Sequence, residues 1–373
     1  MLNNVHGILI TNQPGYNLKE LSSIRSISSV PYGGRYRLVD FLLSNMVDDG
    51  ITDIGVVLQQ GYQSLLDHLG SGKDWDLARR QGGLRLLPPF AQMNSSNPTN
   101  NYRGMMEALI GLKSYLSEIK QEYLIVADAD SVLNISLEDV FNKHISTGAD
   151  ITTVCSSRFT DRPQYATYYT LNEDGTAKEI LAKPEGVCYE ALNIYVISKA
   201  KMIELVNYAE ARDLYSFSHQ ILGRKKELGL KVVPYVFKGY VARFPTVAEY
   251  FSKSMDLLKK DVRRDLFNPA HPIRSKDRSD PATYYGPESK VTGSMISDGC
   301  VIEGEVENSI IFRNVKVSKG AVVKNCILMK DTVIGAGASL NCVICDKDVE
   351  ISAGRTLSGC ETYPIVYAKG SKI

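Results

Sequence analysis

The fold is decided by VSKGAVVKNCILMKDTVIGAGASLNCVICDKDVEISAGRT, residues 317–356. Gly320, Gly337 and Gly354 recur every 17 residues, each three places after an apolar residue (Val317, Ile334, Ile351). The tetrapeptides NSII, NCIL and NCVI begin at Asn308, Asn325 and Asn341. A period of 17, close to three hexads with glycines at the corners, suits a left-handed parallel β-helix whose coils stack side chains into ladders. One coil cannot bury its own face, so several must stack. The pair Cys342 and Cys345 matches C-x-x-C, a redox or zinc pattern elsewhere. Residues i and i+3 of an extended strand point to opposite faces. Cys342 also shares the second place of its tetrapeptide with Cys326, so it is expected as a ladder residue.

Upstream, the texture differs. Residues 261–290 hold four prolines, many charges and little periodicity, which marks a linker between a first domain at 1–260 and the repeats at 291–373. In the first domain, β-rich runs such as VHGILI, DIGVVLQ and YLIVAD alternate with segments of helical period at 35–47, about 103–119 and LEDVFNKHI. That alternation predicts a mostly parallel, Rossmann-like α/β sheet with helices on its faces. YATYYTLNEDGTAKEILAK reads as a hairpin beside the sheet, and helices are expected at about 216–228 and 246–260. The basic run KKDVRR, 259–264, then falls at the end of the last helix, where cations suit the dipole.

Composition removes several classes of function. Forty-three basic and forty-two acidic residues leave a net charge of +1, so no single-sign field points to nucleic acid or an anionic membrane. Seven scattered cysteines do not read as a disulfide framework, and the N-terminus lacks a basic region before a sustained apolar stretch, so a reducing cytoplasm is expected. No apolar run approaches the ~20 residues that cross a bilayer. The five histidines are too dispersed for a metal cluster, and 291–373 contains none. That argues against an acyltransferase using a histidine base on the β-helix.

The first loop, LITNQPGYNLKEL (9–21), follows the first strand, where a nucleotide-binding α/β protein places a glycine-rich turn, yet it holds one glycine and a proline. VPYGGRYRLVDFLLSNMVDDGITDIGVVLQ, NYRGMMEAL, YLIVADAD, ILAKPEG, NIYVIS and TVAEYFSKSMDLL, followed by the hexads, resemble in order and spacing the sugar-nucleotide pyrophosphorylases. The resemblance is closest to the ADP-glucose pyrophosphorylases of bacterial glycogen synthesis and covers nearly the whole chain. It implies a site where ATP and glucose-1-phosphate react, with cations along the triphosphate and carboxylates holding Mg²⁺.

Residue by residue, the resemblance implies a dismantled site. The family's phosphate-gripping G-G-x-G-x-R-L falls on Asn12, Gln13, Gly15, Asn17 and Leu18, and a family lysine falls on Ile27. Asp130 matches one metal-binding aspartate and survives as a remnant, whereas its partner aspartate falls on Arg243. A guanidinium there repels Mg²⁺. Lys183 matches the sugar-phosphate lysine, but the glutamate before it is Ala182. The serine and glycine of S-M-G-I-Y become Ala191 and Asn193, and D-F-G-K-D becomes SFSHQ, 216–220. No catalytic residue and no metal site are therefore expected. Arg103, Gly104, Lys183 and Arg243 remain as a candidate anion-binding set.

The pattern resembles the GlgD-type branch of the family, regarded as regulatory. It implies a non-catalytic or weakly catalytic subunit in a heterotetramer with a catalytic ADP-glucose pyrophosphorylase, the Mg²⁺ and ATP being used by that partner. Arg35 and Arg37 of GGRYR are candidates for a phosphorylated-sugar or nucleotide effector, since the matching family segment lies near an effector site. As exposed arginines opening a helix they have an equally simple structural explanation. The alternative function is a self-sufficient nucleotidyltransferase with a divergent phosphate loop.

Overall fold

A computed structural model describes residues 2–11, 15–88, 102–159 and 166–373. The first half is built on β1 (Val5–Ile10), the small hairpin β2 (Pro31–Tyr32) and β3 (Tyr36–Arg37), β4 (Asp53–Val57), β5 (Gly83–Leu87), β6 (Tyr123–Asp128), β7 (Ile151–Ser156), β8 (Tyr168–Leu171), β9 (Ala177–Leu181), β10 (Tyr189–Ser198) and β11 (Val232–Phe237). The main sheet runs β11-β7-β10-β6-β1-β4-β5, with β8 and β9 attached beside β10. All neighbours along this path are parallel except β10, which is antiparallel to both β6 and β7. Strands covered on both faces carry unbroken apolar runs, and every residue of VHGILI is buried.

The helices are α1 (Leu38–Asp48), α2 (Gln63–Leu69), α3 (Met105–Gly111), α4 (Lys113–Glu118), α5 (Leu137–Thr147), α6 (Lys199–Glu210), α7 (Val247–Met255) and α8 (Lys260–Leu266). Leu42, Met46, Val39 and Leu43 of α1 lie in the cluster on one sheet face with Leu9, Val56 and Ile125. The expected hairpin is present: β8 pairs with β9 around a turn in which Gly175 takes φ +79°. Several helices differ from expectation. The segment at about 103–119 is two helices, α3 and α4, and residues 35–37 lie in the β2–β3 hairpin ahead of α1. Residues 217–221 form one π-helical turn followed by a 3₁₀ turn at 222–224, because Gln220 folds back to accept the Tyr215 and Ser216 amides at 2.8 Å each. KKDVRR does not end the preceding helix; Lys260–Leu266 is a helix of its own after a 3₁₀ turn at 256–258.

From Tyr284 the chain winds into a left-handed parallel β-helix with three sheets of five short strands each. The corners are ladders of left-handed backbone: Gly299, Asn314, Asp331 and Asp348 on one edge, Gly320, Gly337 and Gly354 on another, and Gly293, Asn308, Asn325 and Cys342 on the third. Asn is the L-residue best suited to that conformation. Cys342 therefore corrects the sequence reading. Lys324 pairs with Asn341, so Cys342 stacks on the corner residue Asn325, and the equivalent of Cys326 is Val343. The repeated Asn-Cys dipeptide is one residue out of register with the backbone ladder, which sets the true period of 17.

The two faces of the strands in NSII, NCIL and NCVI are both buried, which explains their lack of alternation. Ile311, Leu328 and Cys345 point into the β-helix. Ile310, Ile327, Cys342 and Ile344 pack outward against Leu18, Ile27, Tyr32, Phe41 and Tyr250 of the first half. Cys342 and Cys345 accordingly lie on opposite sides of the wall, as expected, and neither is bonded to another cysteine. Gly34, at φ +85°, lets the β2–β3 turn touch the β-helix; a Cβ there would lie 2.6 Å from Ser297 Oγ.

Candidate functional site

In an open α/β sheet, ligands bind beyond the carboxyl ends of the strands, where chain direction switches. Asp128 ends β6 and Asp130 follows it, beside the loop that leaves β1. Val132 and Ala242 form an antiparallel bridge through two backbone hydrogen bonds of 2.9 and 3.0 Å. That bridge carries Arg243 across to Asp130. Tyr16 closes the site from the first loop, its hydroxyl donating to Asp130 Oδ2. Asn12, Gln13 and Pro14 lie outside the described residues.

Arg243 is 1 % exposed. Its Nε donates to Ser131 Oγ at 2.8 Å, and its two terminal nitrogens donate to the carbonyls of Ala191 and Leu192 at 3.0 Å each. The same nitrogens lie 3.5 Å from Asp130 Oδ1 and 3.6 Å from Glu190 Oε1. Three hydrogen bonds and two ion pairs thus surround the guanidinium. Burial alone would discourage the charge, but Asp130, Tyr16, Glu190 and Asp128 outweigh it and hold the guanidinium above its ordinary range. The donor set does not fit a divalent cation, because a satisfied cation already lies between the carboxylates.

Tyr16, Ser131 and Glu190 were not singled out from the sequence. Glu190 had a usable signal, an acid in the middle of the otherwise apolar strand YEALNIYVIS, where burial demands a partner. Asn193, where the family has glycine, takes φ +54°, donates to Asp128 at 2.8 Å and accepts from Tyr195 at 3.1 Å. The lysine-to-isoleucine change has a packing counterpart: Ile27 is 4 % exposed inside the cluster joining the two halves. Asn17 is exposed and bonded through its amide to Pro245 O at 2.8 Å.

The remaining sugar-side positions are not drawn together. Arg103 holds Glu107 at 2.8 Å and Asp213 at 2.6 Å, lying over the Tyr215 ring. Gly104 is extended, and a Cβ on it would meet Tyr215 O at 2.6 Å, so its role here is close backbone packing. Lys183 and Ala182 are exposed. Arg103, Lys183 and Arg243 therefore do not present a shared anion-binding face: Arg243 is enclosed and Arg103 is engaged by two carboxylates.

The second candidate pair is drawn into a pocket. Arg35 and Arg37 line a cavity of about 170 Å³ between the β2–β3 hairpin, α2, the 276–278 segment and the β-helix. Lys276, Arg278, Arg313, Lys330 and Lys347 line it too, against Asp67 and His68. Arg37 is anchored by Ser64, at 2.8 Å from its hydroxyl, while its backbone amide caps onto Asp40 at 3.0 Å. Burial, together with Arg25 and Arg278, outweighs Asp40 and lowers its pKa to about 10. Arg35 is exposed, over the Tyr36 ring. The lining thus places seven cationic side chains around one carboxylate, Asp67.

Residues 8–240 match the family model described as nucleotidyl transferase, and residues 282–361 match GlmU-like, C-terminal hexapeptide. The glycogen biosynthesis protein GlgD of Bacillus subtilis is 33% identical over 322 residues, 86% of this chain and 83% of its own. The GlgD protein of Geobacillus stearothermophilus is 36% identical over 306 residues, 82% of this chain and 79% of its own. A glucose-1-phosphate adenylyltransferase of that organism is 31% identical over 324 residues, 85% of this chain and 82% of its own. Among the described residues, no helix is long and apolar enough to cross a membrane.

Proposed function

The chain belongs to the nucleotidyl transferase family and to its GlgD-type branch, and from that premise we propose that it acts in glycogen biosynthesis as a non-catalytic or weakly catalytic regulatory subunit. Its partner is a catalytic ADP-glucose pyrophosphorylase chain, in a heterotetramer, whose synthesis of ADP-glucose from ATP and glucose-1-phosphate it modulates. The observation that carries the reading is Arg243: a buried guanidinium with three hydrogen bonds and two carboxylate neighbours stands where the family resemblance places a metal-binding aspartate. Removal of a single preorganised electrostatic contact costs about 3–4 kcal/mol of transition-state stabilisation. Here metal ligand, phosphate loop and sugar-side acids are all replaced.

Regulation needs a ligand or contact that distinguishes two states of the assembly. The cavity around Arg35 and Arg37 supplies the ligand side, and a phosphorylated sugar or nucleotide is the effector class its charge suits. Because it is lined by both halves of the chain, occupancy bears on how the halves are held. The experiment is kinetic: pyrophosphate release from Mg-ATP and glucose-1-phosphate is measured with this chain alone, with the catalytic chain alone, and with the two co-expressed. Regulation requires negligible turnover alone and altered rate or effector response in the mixture. Turnover by the isolated chain equal to an ordinary pyrophosphorylase would overturn it.

A further inference from the structure

Lys347 lines the cationic cavity from the β-helix side, among Arg35, Arg37, Arg313 and Lys330. The adjacent carboxylate, Asp346, has both oxygens held by Arg25, at 2.9 and 2.7 Å. Facing the lysine are Arg37 from β3, Arg25 from the segment before β2, Lys369 from the C-terminal segment and His68 from α2. Asp346 opposes them, Asp67 lines the same cavity, and Asp348 lies 3.7 Å from Lys369. His68 is bonded to Asp40 at 2.6 Å, so that acid is also engaged. Lys347 is half-buried, and an ammonium partly withdrawn from water among like charges loses its proton more readily than in water.

We propose that anion binding in this cavity is proton-linked through Lys347: the lysine gains a proton when a dianion of the sulfate or phosphate type enters, so the site holds such anions more tightly as pH falls. The proposal rests on the reading of the cavity as an effector site, and adds the groups that tune it. Burial first, then Arg37 and Arg25, lowers the Lys347 pKa to about 7. Arg37, at about 10, keeps its charge through the neutral range. Burial holds His68 below its ordinary value, so it is neutral there. Between about pH 7 and 9, Lys347 is the lining group that changes charge. An entering dianion favours the ammonium form, and binding must then include the free energy of protonation.

Sulfate is the probe, because it stays a dianion throughout and only the protein titrates. Calorimetry of the full chain at about pH 6, 7, 8 and 9, in two buffers of different ionisation heat, reads affinity and proton uptake together. The expected result is affinity falling about tenfold from pH 8 to 9, with close to one proton taken up per sulfate at about pH 8. Lys347→Arg should bind sulfate with no uptake, and Lys347→Met should bind more weakly with none; thermal melts establish that both variants are folded. Sulfate binding independent of pH, or uptake that survives in Lys347→Met, overturns the linkage while leaving the effector site standing. Failure of sulfate to bind at any pH overturns both.

Discussion

Arg25 and Asp346, 321 positions apart, meet in a two-point pair at 2.9 and 2.7 Å that fastens the nucleotidyltransferase-like half to the β-helix. Both are buried, at 4 % and 0 % exposure. Such a pair contributes little over an apolar contact, but removing one member strands the other charge, at a cost of about 3–5 kcal/mol. Asp346→Ala should therefore lower the thermal midpoint well beyond the effect of an exposed change such as Glu361→Ala. Equal melting of the two variants would mean that the pair is not what holds the halves together.

The Arg243 network makes a coupled prediction. Arg243→Ala alone leaves Asp130 and Glu190 without their shared cation and should destabilise the chain by about 3–5 kcal/mol. Glu190→Ala with Arg243→Ala should cost less than the sum of the singles, with a coupling of about 1–3 kcal/mol in urea unfolding. Additive losses would dissolve the pairing.

Restoring the family's charges one at a time should fail, for a reason visible only in the packing. Ile27→Lys places an ammonium in the cluster shared with Ile310 and Tyr32, and is expected to cost about 3 kcal/mol before any phosphate is gripped. A variant carrying Arg243→Asp, Asn17→Arg and Ile27→Lys together should consequently melt lower than the parent and gain little turnover. A stable, active triple variant would show that charge alone had silenced the site.

Acid sensitivity should come from buried histidines. Burial holds His144 and His68 below the ordinary histidine value. The unfolded chain thus binds more protons than the folded one, and the associated stability is present above about pH 6.5 and lost as pH falls through the folded values. The urea midpoint should drop between about pH 7 and 5, and His144→Asn, which can still bond Thr152, should flatten part of that slope. An unchanged slope in this variant would assign the effect to other groups.

In the β-helix, Gly337 takes φ +67° with open space around the missing Cβ, so a substitution there meets backbone strain and no clash. Gly337→Val is expected to cost about 1–2 kcal/mol and Gly337→Asn distinctly less. Chemical denaturation of the two checks the order; a reversed order would remove the backbone explanation.

Chain-local signals made both architectures legible. The 17-residue spacing of Gly320, Gly337 and Gly354 reports the β-helix because each coil lies directly on the next, so the period of the backbone is also the period of the sequence. The alternation of apolar strands and amphipathic helices likewise reports the α/β half. The resemblance assigns an aspartate to the position held by Arg243, and burial of an arginine in the first domain is a signal that a partner carboxylate must lie beside it. The Asn-Cys dipeptide misled by one residue, because composition repeats where hydrogen-bond register does not.

The sequence by itself determined the two architectures and their order, both properties of residues close along the chain. Only the tertiary structure decided that Arg243 is enclosed by Tyr16, Ser131, Asp130 and Glu190, and that Arg37 shares a cavity with Arg313 and Lys347. Those meetings depend on the path of the whole chain through the sheet and back along the β-helix wall. No local periodicity encodes them, and burial of each charge is tolerable only because the fold delivers its partner.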